Sequence, residues 1–108
     1  MIKNLRIPNE EIKPLVNNLD SCLCTDRITV DGQPIGFMYR EIPDDGEDSG
    51  WRFLSGTETQ AYIDDPTNSG LYEVNTIANY DPAIIPYLDA PFGAEFERVT
   101  GTDEFRPI

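Results

Sequence analysis

Two segments of this chain are apolar on both of the faces that a strand presents. In residues 35–41, Phe37 and Tyr39 share one side while Met38 and Arg40 share the other; in residues 51–55, Trp51 and Phe53 project one way and Leu54 the other. A half-buried strand alternates apolar with polar, so a strand apolar on both sides belongs in the middle of a sheet rather than at its edge. Between the two lies Ile42-Pro43-Asp44-Asp45-Gly46-Glu47-Asp48-Ser49-Gly50. This connection exceeds the two to five residues usual for a hairpin loop, and long loops in compact domains tend to be functional or mobile.

Shorter signals fill the rest of the chain. Asn9 followed by Glu10 and Glu11 reads as a helix start, with acids near the positive end of the helix dipole, and Leu15, Val16 and Leu19 continue beyond Pro14. A proline ends or opens a helix, so residues 1–20 are expected to hold a short, kinked amphipathic helix. Residues 22–30, with Leu23, Ile28, Thr29 and Val30, suit a pleated half-buried surface, and Asp31-Gly32 signals a reversal into the returning strand 35–41. One or two helical turns are expected over 57–64, where Thr57 can cap and Glu58 follows, then a turn over 65–70. Residues 71–75 read as a strand and 76–80 as a short helix. Asp81-Pro82 caps a further helix, which Pro86 limits to about one and a half turns. Residues 94–99 and 104–106 read as a final hairpin with Phe96 and Phe105 inward. The sum is a single α+β domain over residues 1–108, an antiparallel sheet of about four to six strands with two or three short helices.

Charge is spread unevenly over this framework. Residues 1–40 carry five Lys/Arg against five Asp/Glu and the remainder fifteen acids against three arginines, so the whole net charge of -12 lies after Arg40. The steepest part is 41–65, where Glu41, Asp44, Asp45, Glu47, Asp48, Glu58, Asp64 and Asp65 face one base, Arg52. Acids this dense on a loop tip between core strands suit recognition of something basic, with Trp51 and Tyr62 as aromatic anchors. Composition alone also allows the acid loop to be a solubilising surface and Trp51, at the start of a strand, to be core.

The same residues narrow the chemistry. Phosphate binding runs on Lys and Arg, and the chain has only two lysines, Lys3 and Lys13, which argues against nucleic acid as a direct ligand. There is no histidine, so neither a Ser-His-Asp nor a Cys-His nucleophile system can be assembled, and no phosphate-cradling glycine motif replaces them. Close carboxylate pairs arise by chance among twenty acids and single out no catalytic residue. Cys22 and Cys24 point the same way in an extended segment, but a structural zinc site needs about four Cys or His ligands, so they read as reduced thiols and not as metal ligands. Asp44, Asp45, Glu47 and Asp48 offer hard oxygens for calcium in the wrong register for an EF-hand, with Gly46 at the third position and Ser55 at the twelfth. No cofactor is expected. No run of roughly 18 apolar residues occurs and the opening Met1-Ile2-Lys3-Asn4-Leu5-Arg6 lacks the apolar core of a signal peptide, so no membrane partner and a cytoplasmic location are expected.

Four stretches carry a family likeness: Cys22-Leu23-Cys24-Thr25-Asp26-Arg27-Ile28-Thr29-Val30, Gly36-Phe37-Met38-Tyr39-Arg40-Glu41, Asp48-Ser49-Gly50-Trp51-Arg52-Phe53-Leu54-Ser55-Gly56, and Asn75-Thr76-Ile77-Ala78-Asn79-Tyr80-Asp81-Pro82. Residues 22–98 thereby resemble the immunity protein 33-like domain, a bacterial family once catalogued as a domain of unknown function. The resemblance implies a non-enzymatic protein that protects a bacterium by binding a cognate protein toxin, and it brings no catalytic residue with it. A basic toxin, such as a nuclease with a positive cleft, would suit the acid loop. The rival expectation is a housekeeping or regulatory domain on the same fold that recognises an endogenous protein or small ligand, for which an apolar pocket near Tyr39, Trp51 and Phe53 would speak.

Overall fold

Six strands form one sheet in the computed structural model, which describes residues 3–108. Strand β1 covers Ser21–Thr25, β2 Phe37–Arg40, β3 Asp48–Leu54, β4 Ser69–Glu73, β5 Glu95–Arg98 and β6 Phe105–Pro107. They lie in the order β4-β1-β3-β2-β5-β6, so the two doubly apolar strands pair with each other and each has a second neighbour. Their position is the one their pattern demands. The final hairpin, β5 with β6, also forms, and Phe105 is buried.

The α+β class holds, but the sheet is mixed rather than purely antiparallel, because β1 runs parallel to β3. The cause lies just after β1. Residues 22–30 do not stay extended: Asp26–Thr29 closes a single helical turn, α1, and the N–H groups of Asp31 and Gly32 bond back to Asp26 and Ile28. Gly32 at φ 75° ends that turn. The chain therefore leaves β1 over a helical crossover rather than a hairpin and enters β2 one place farther along. The gap between them is filled by β3.

One face of the sheet is the core. Cys22, Cys24, Met38, Trp51 and Phe53 point to it, and onto them pack Ile28 of α1, Val74, Ile77 and Ala78 of α3 (Val74–Tyr80), and Ile84 of the 3-10 turn Pro82–Tyr87. As expected, Asp81 caps that turn, its carboxylate accepting the Ala83 N–H at 3.2 Å. The opposite face carries Leu23, Tyr39, Arg52, Leu54 and Leu71; Ile63 of α2 (Gln60–Asp64) approaches it beside Leu23 and Leu54, and Leu5, Asn9 and Ile12 flank Leu71 at the β4 edge. The cap of α2 is Thr59 rather than Thr57, its hydroxyl accepting the Tyr62 N–H at 3.1 Å.

No amphipathic helix forms before β1. After one 3-10 turn, Asn9–Glu11, the chain runs extended from Ile12, and its backbone groups are satisfied by side chains of α3 instead of by each other. Asn75 accepts the N–H groups of Leu15 and Val16 at 2.8 and 3.0 Å and donates to the Lys13 carbonyl at 2.9 Å; Asn79 accepts the Lys13 N–H at 2.9 Å; the Tyr80 hydroxyl accepts the Ile7 N–H at 3.1 Å. Upstream, Arg6 donates to the carbonyls of Val30 and Asp31 at the end of α1. The segment is a strap sewn across the helix layer. Met1 and Ile2, which entered the reading of the N-terminus, lie outside the described residues.

Gly50 makes the central hairpin possible. It holds φ 86°, and a Cβ there would overlap the Glu41 carbonyl oxygen, whose own N–H bonds the Gly50 carbonyl at 3.0 Å. Gly50→Ala is expected to cost more than the roughly 1–3 kcal/mol of an unfavourable backbone conformation, since the clash is with backbone. Gly56→Ala, at φ 95° but in open space, should cost the conformational share alone. Urea denaturation of the two variants separates the terms, and equal losses would refute the clash.

Candidate functional site

The acidic connection is shorter and more ordered than its sequence implies, because Asp48, Ser49 and Gly50 belong to β3. What remains is a tight turn in which Asp45 accepts the N–H groups of Glu47 and Asp48 at 2.9 and 3.1 Å. Asp44, Asp45 and Glu47 are exposed. Asp48 is already engaged: its two oxygens take the Arg52 guanidinium at 2.9 and 2.7 Å, and one of them also takes the Gly50 N–H at 2.8 Å. Glu41 takes the Nε of the same arginine at 2.7 Å. Two carboxylates thus clamp the single base of the acidic region, and Arg52 is only 8% exposed.

The other acids of the region stand elsewhere. Glu58 is tied to the far end of β1 and β3, accepting the Thr25 hydroxyl at 2.6 Å and the Ser55 N–H at 2.8 Å. Asp64 is exposed and accepts from Gln60 at 2.8 Å, and Asp65 caps the 3-10 turn Pro66–Asn68 by accepting from Thr67. Tyr62 lies under the Arg27 guanidinium, 4.6 Å from its ring centroid. Register shows the separation: Ser21 pairs with Asp48 at one end of β1, and Thr25 pairs with Ser69 at the other. Four residue rises of about 3.3 Å put the two acidic groups roughly 13 Å apart along the strand. The charge that is one run in sequence is two clusters in space.

Trp51 is a correction. It is 0% exposed, stacked at 5.9 Å on Phe53 and 6.5 Å on Phe96, and its indole N–H donates to the Leu88 carbonyl at 3.2 Å. A side chain enclosed in this way anchors the core and touches no partner. Cys22 and Cys24 are free and equally enclosed; burial pushes the Cys22 thiol up to about 12 and raises that of Cys24, so neither presents a thiolate near neutral pH. Among the described residues no group of three or more Cys, Asp or Glu is placed to hold a metal ion.

What sequence reading missed is the surface between the two acid clusters. Leu23, Thr25, Tyr39, Arg52, Leu54 and Ile63 line a shallow depression of about 150 Å³ on the open sheet face. Leu23 is 37%, Ile63 43% and Leu71 71% exposed. Register sets Leu23 opposite Leu71 on one face, and both that pairing and the lack of a helix layer over it are topological and absent from any local window. A larger concavity of about 590 Å³ is an open groove beside β4, lined by Leu5, Asn9, Ile12, Leu71, Tyr72, Glu73 and Thr76.

The model of the Immunity protein Imm33 domain matches residues 22–108, which is the entire sheet from Cys22 onward together with all the helices described above. The chain belongs to the Imm33 family. No curated protein and no solved structure matches it. The Imm33 match runs to residue 108 and so includes the β5–β6 hairpin in full, ten residues past the end of the resemblance seen in sequence. It begins after the strap. In this Imm33 chain most of the resembling stretches have structural duties: Gly50 and Trp51 build the central hairpin, Arg52 clamps its turn, and Asn75, Asn79 and Tyr80 hold the strap.

The clamps make the fold acid-sensitive. Hydrogen bonding from Arg52 holds the Asp48 carboxyl below its ordinary range; burial works against ionisation of Glu58, yet the Thr25 hydroxyl and Ser55 N–H outweigh it and lower that group too. A carboxyl whose folded pKa lies below its unfolded value contributes stability that is complete above about pH 5 and is lost as pH falls through the folded value. Urea midpoints should therefore fall between about pH 5 and pH 3. In the Asp48→Asn/Glu58→Gln variant, lower in stability at pH 7, that fall should be shallower; an unchanged slope would show that these two carboxyls are not its source.

Proposed function

We propose that this Imm33 chain is an immunity protein that works by binding: it occupies a cognate protein toxin in the bacterial cytoplasm and blocks the toxin's own contacts, without catalysis. The observation that supports this most is the set of exposed, unneutralised acids Asp44, Asp45, Glu47, Asp64 and Asp65 on an Imm33 fold of net charge -12. Their natural counterpart is a basic protein surface, such as the substrate cleft of a nuclease. Charge of this kind steers encounter more than it sets affinity, raising association rates to about 10⁸–10⁹ M⁻¹s⁻¹ at low salt.

The test is co-expression of the neighbouring genes with and without this one. One of them should be lethal alone and tolerated when this chain is present, and the two products should co-purify. If no neighbour is rescued, the reading is wrong. Neutralising Asp44, Asp45 and Glu47 together should then slow association at low salt and leave the dissociation rate nearly unchanged.

A second reading, an endogenous small ligand, draws on the groove beside β4. Its volume suits such ligands, whose sites are usually about 300–1,000 Å³, whereas the depression near Tyr39 and Phe53 is too small. Leu5, Asn9 and Ile12 of the groove, however, lie outside the Imm33 match.

A further inference from the structure

We infer that the open face of the sheet, rather than the acidic turn alone, is the docking surface for the toxin, and that the partner presents an apolar or aromatic side chain ringed by Lys and Arg. This rests on the binding reading above and names the surface and the partner's chemistry.

The argument starts from the layers. A two-layer fold buries one sheet face under helices and leaves the other to water, and an uncovered face normally alternates to polar residues there. This one does not. Leu23 of β1 and Leu54 of β3 make the apolar part of the depression with Ile63 of α2, and Leu71 of β4, opposite Leu23 in the register, extends the exposed apolar surface beside it. A depression of about 150 Å³ has room for no more than about one ring or branched aliphatic side chain. Contiguous exposed apolar surface with a polar rim is the anatomy of an interface.

The rim decides what kind of partner. At one end of the face stand Glu41 and Asp48 with the acidic turn, and at the other Glu58 with Asp64. Register adds Glu95 and Glu97, opposite Tyr39 and Phe37, along a third side. The bases on this face are offset in place: Arg52 by two carboxylates, and Arg106 by Glu97 at 2.9 Å. Lys3 stands at the β4 corner of the face, where its ammonium donates to the Ser69 carbonyl at 2.9 Å and is paired with Asp26 at 2.8 Å. An apolar centre inside a net-negative frame matches a cationic surface with an apolar projection. Asp48 and Glu58 are already fixed by hydrogen bonds, so docking orders few of the rim's side chains.

The probe is the purified product of whichever neighbouring gene the wild-type chain rescues. Leu71→Arg and Ile63→Arg place a like charge on the face at positions exposed enough to leave the fold intact, and Leu15→Arg places it on the strap over the helix layer, 44% exposed. Thermal melts confirm folding of all three. Each face variant should weaken binding by about tenfold or more and reduce rescue, with Leu15→Arg unchanged. Wild-type affinity in both face variants, while rescue by the unmutated chain persists, overturns this inference and leaves the immunity function standing. Equal weakening by Leu15→Arg overturns it too. Sedimentation showing a homodimer that Leu71→Arg dissociates would assign the face to a second copy. If the wild-type chain rescues no neighbour, the functional reading fails first and the surface falls with it.

Discussion

Trp51→Ala is expected to destabilise the protein by about 3–5 kcal/mol, the usual cost of removing a large aromatic side chain from a core. The indole fills the space between Phe53 and Phe96 and gives its N–H to Leu88, so alanine leaves both a void and a buried carbonyl without its donor. The second defect adds about 1–3 kcal/mol. At roughly 4–8 °C per kcal/mol for a chain of this size, the midpoint of a thermal melt should fall by more than about 12 °C. Trp51→Phe, which keeps a ring and loses only the hydrogen bond and part of the volume, should fall much less. A Trp51→Ala protein that melts with the wild type but fails to bind would mean that the side chain faces a partner after all.

Asp81→Ala should be nearly as damaging, by about 3–5 kcal/mol, although it removes a charge rather than a core side chain. Asp81 is 8% exposed and holds three elements at once: it pairs with Arg98 of β5, accepts the Ile35 N–H at 2.9 Å just before β2, and caps the Pro82–Tyr87 turn. Alanine takes from the Arg98 guanidinium its buried partner, leaving it the Ile35 carbonyl at 2.7 Å and the exposed Asp103 carboxylate at 3.2 Å, and leaves the Ile35 N–H without its acceptor. The decisive measurement is a double-mutant cycle. Asp81→Ala with Arg98→Met should be less destabilised than the sum of the single variants, because the second change removes the charge that the first exposes. Strict additivity would show that the two side chains act independently.

How much of this was legible in the sequence follows the range of each interaction. Period-two patterning put residues 37–40 and 51–54 in the middle of the sheet because alternation is a local property, and the Asp81-Pro82 cap was visible for the same reason. The parallel β1–β3 pair was not, since it depends on four residues after β1 closing a helical turn that β-prone Ile28 and Thr29 disguise. The strap failed differently: Leu15, Val16 and Leu19 have helical spacing, but the acceptor that holds the backbone of Leu15 and Val16 is Asn75, some sixty residues away, and Asn79 holds that of Lys13. As for the site, the acids were plain and their separation was not. A run of charge in sequence says nothing about which end of a strand each carboxylate will reach; here β1 lies between the two groups.

The arrangement of β1 bears on time as well as on shape. Its partners are residues 48–54 and 69–73, and it has no hairpin of its own, so it can be seated only after most of the chain exists. Sheets closed by such distant pairings assemble on the order of milliseconds to seconds, far behind helical bundles of equal size. Until then β1 and β4 carry Leu23 and Leu71 without their neighbours, the interval in which a chain is open to aggregation and proteolysis. In this Imm33 chain the first strand of the sheet thus waits on partners that are synthesised long after it.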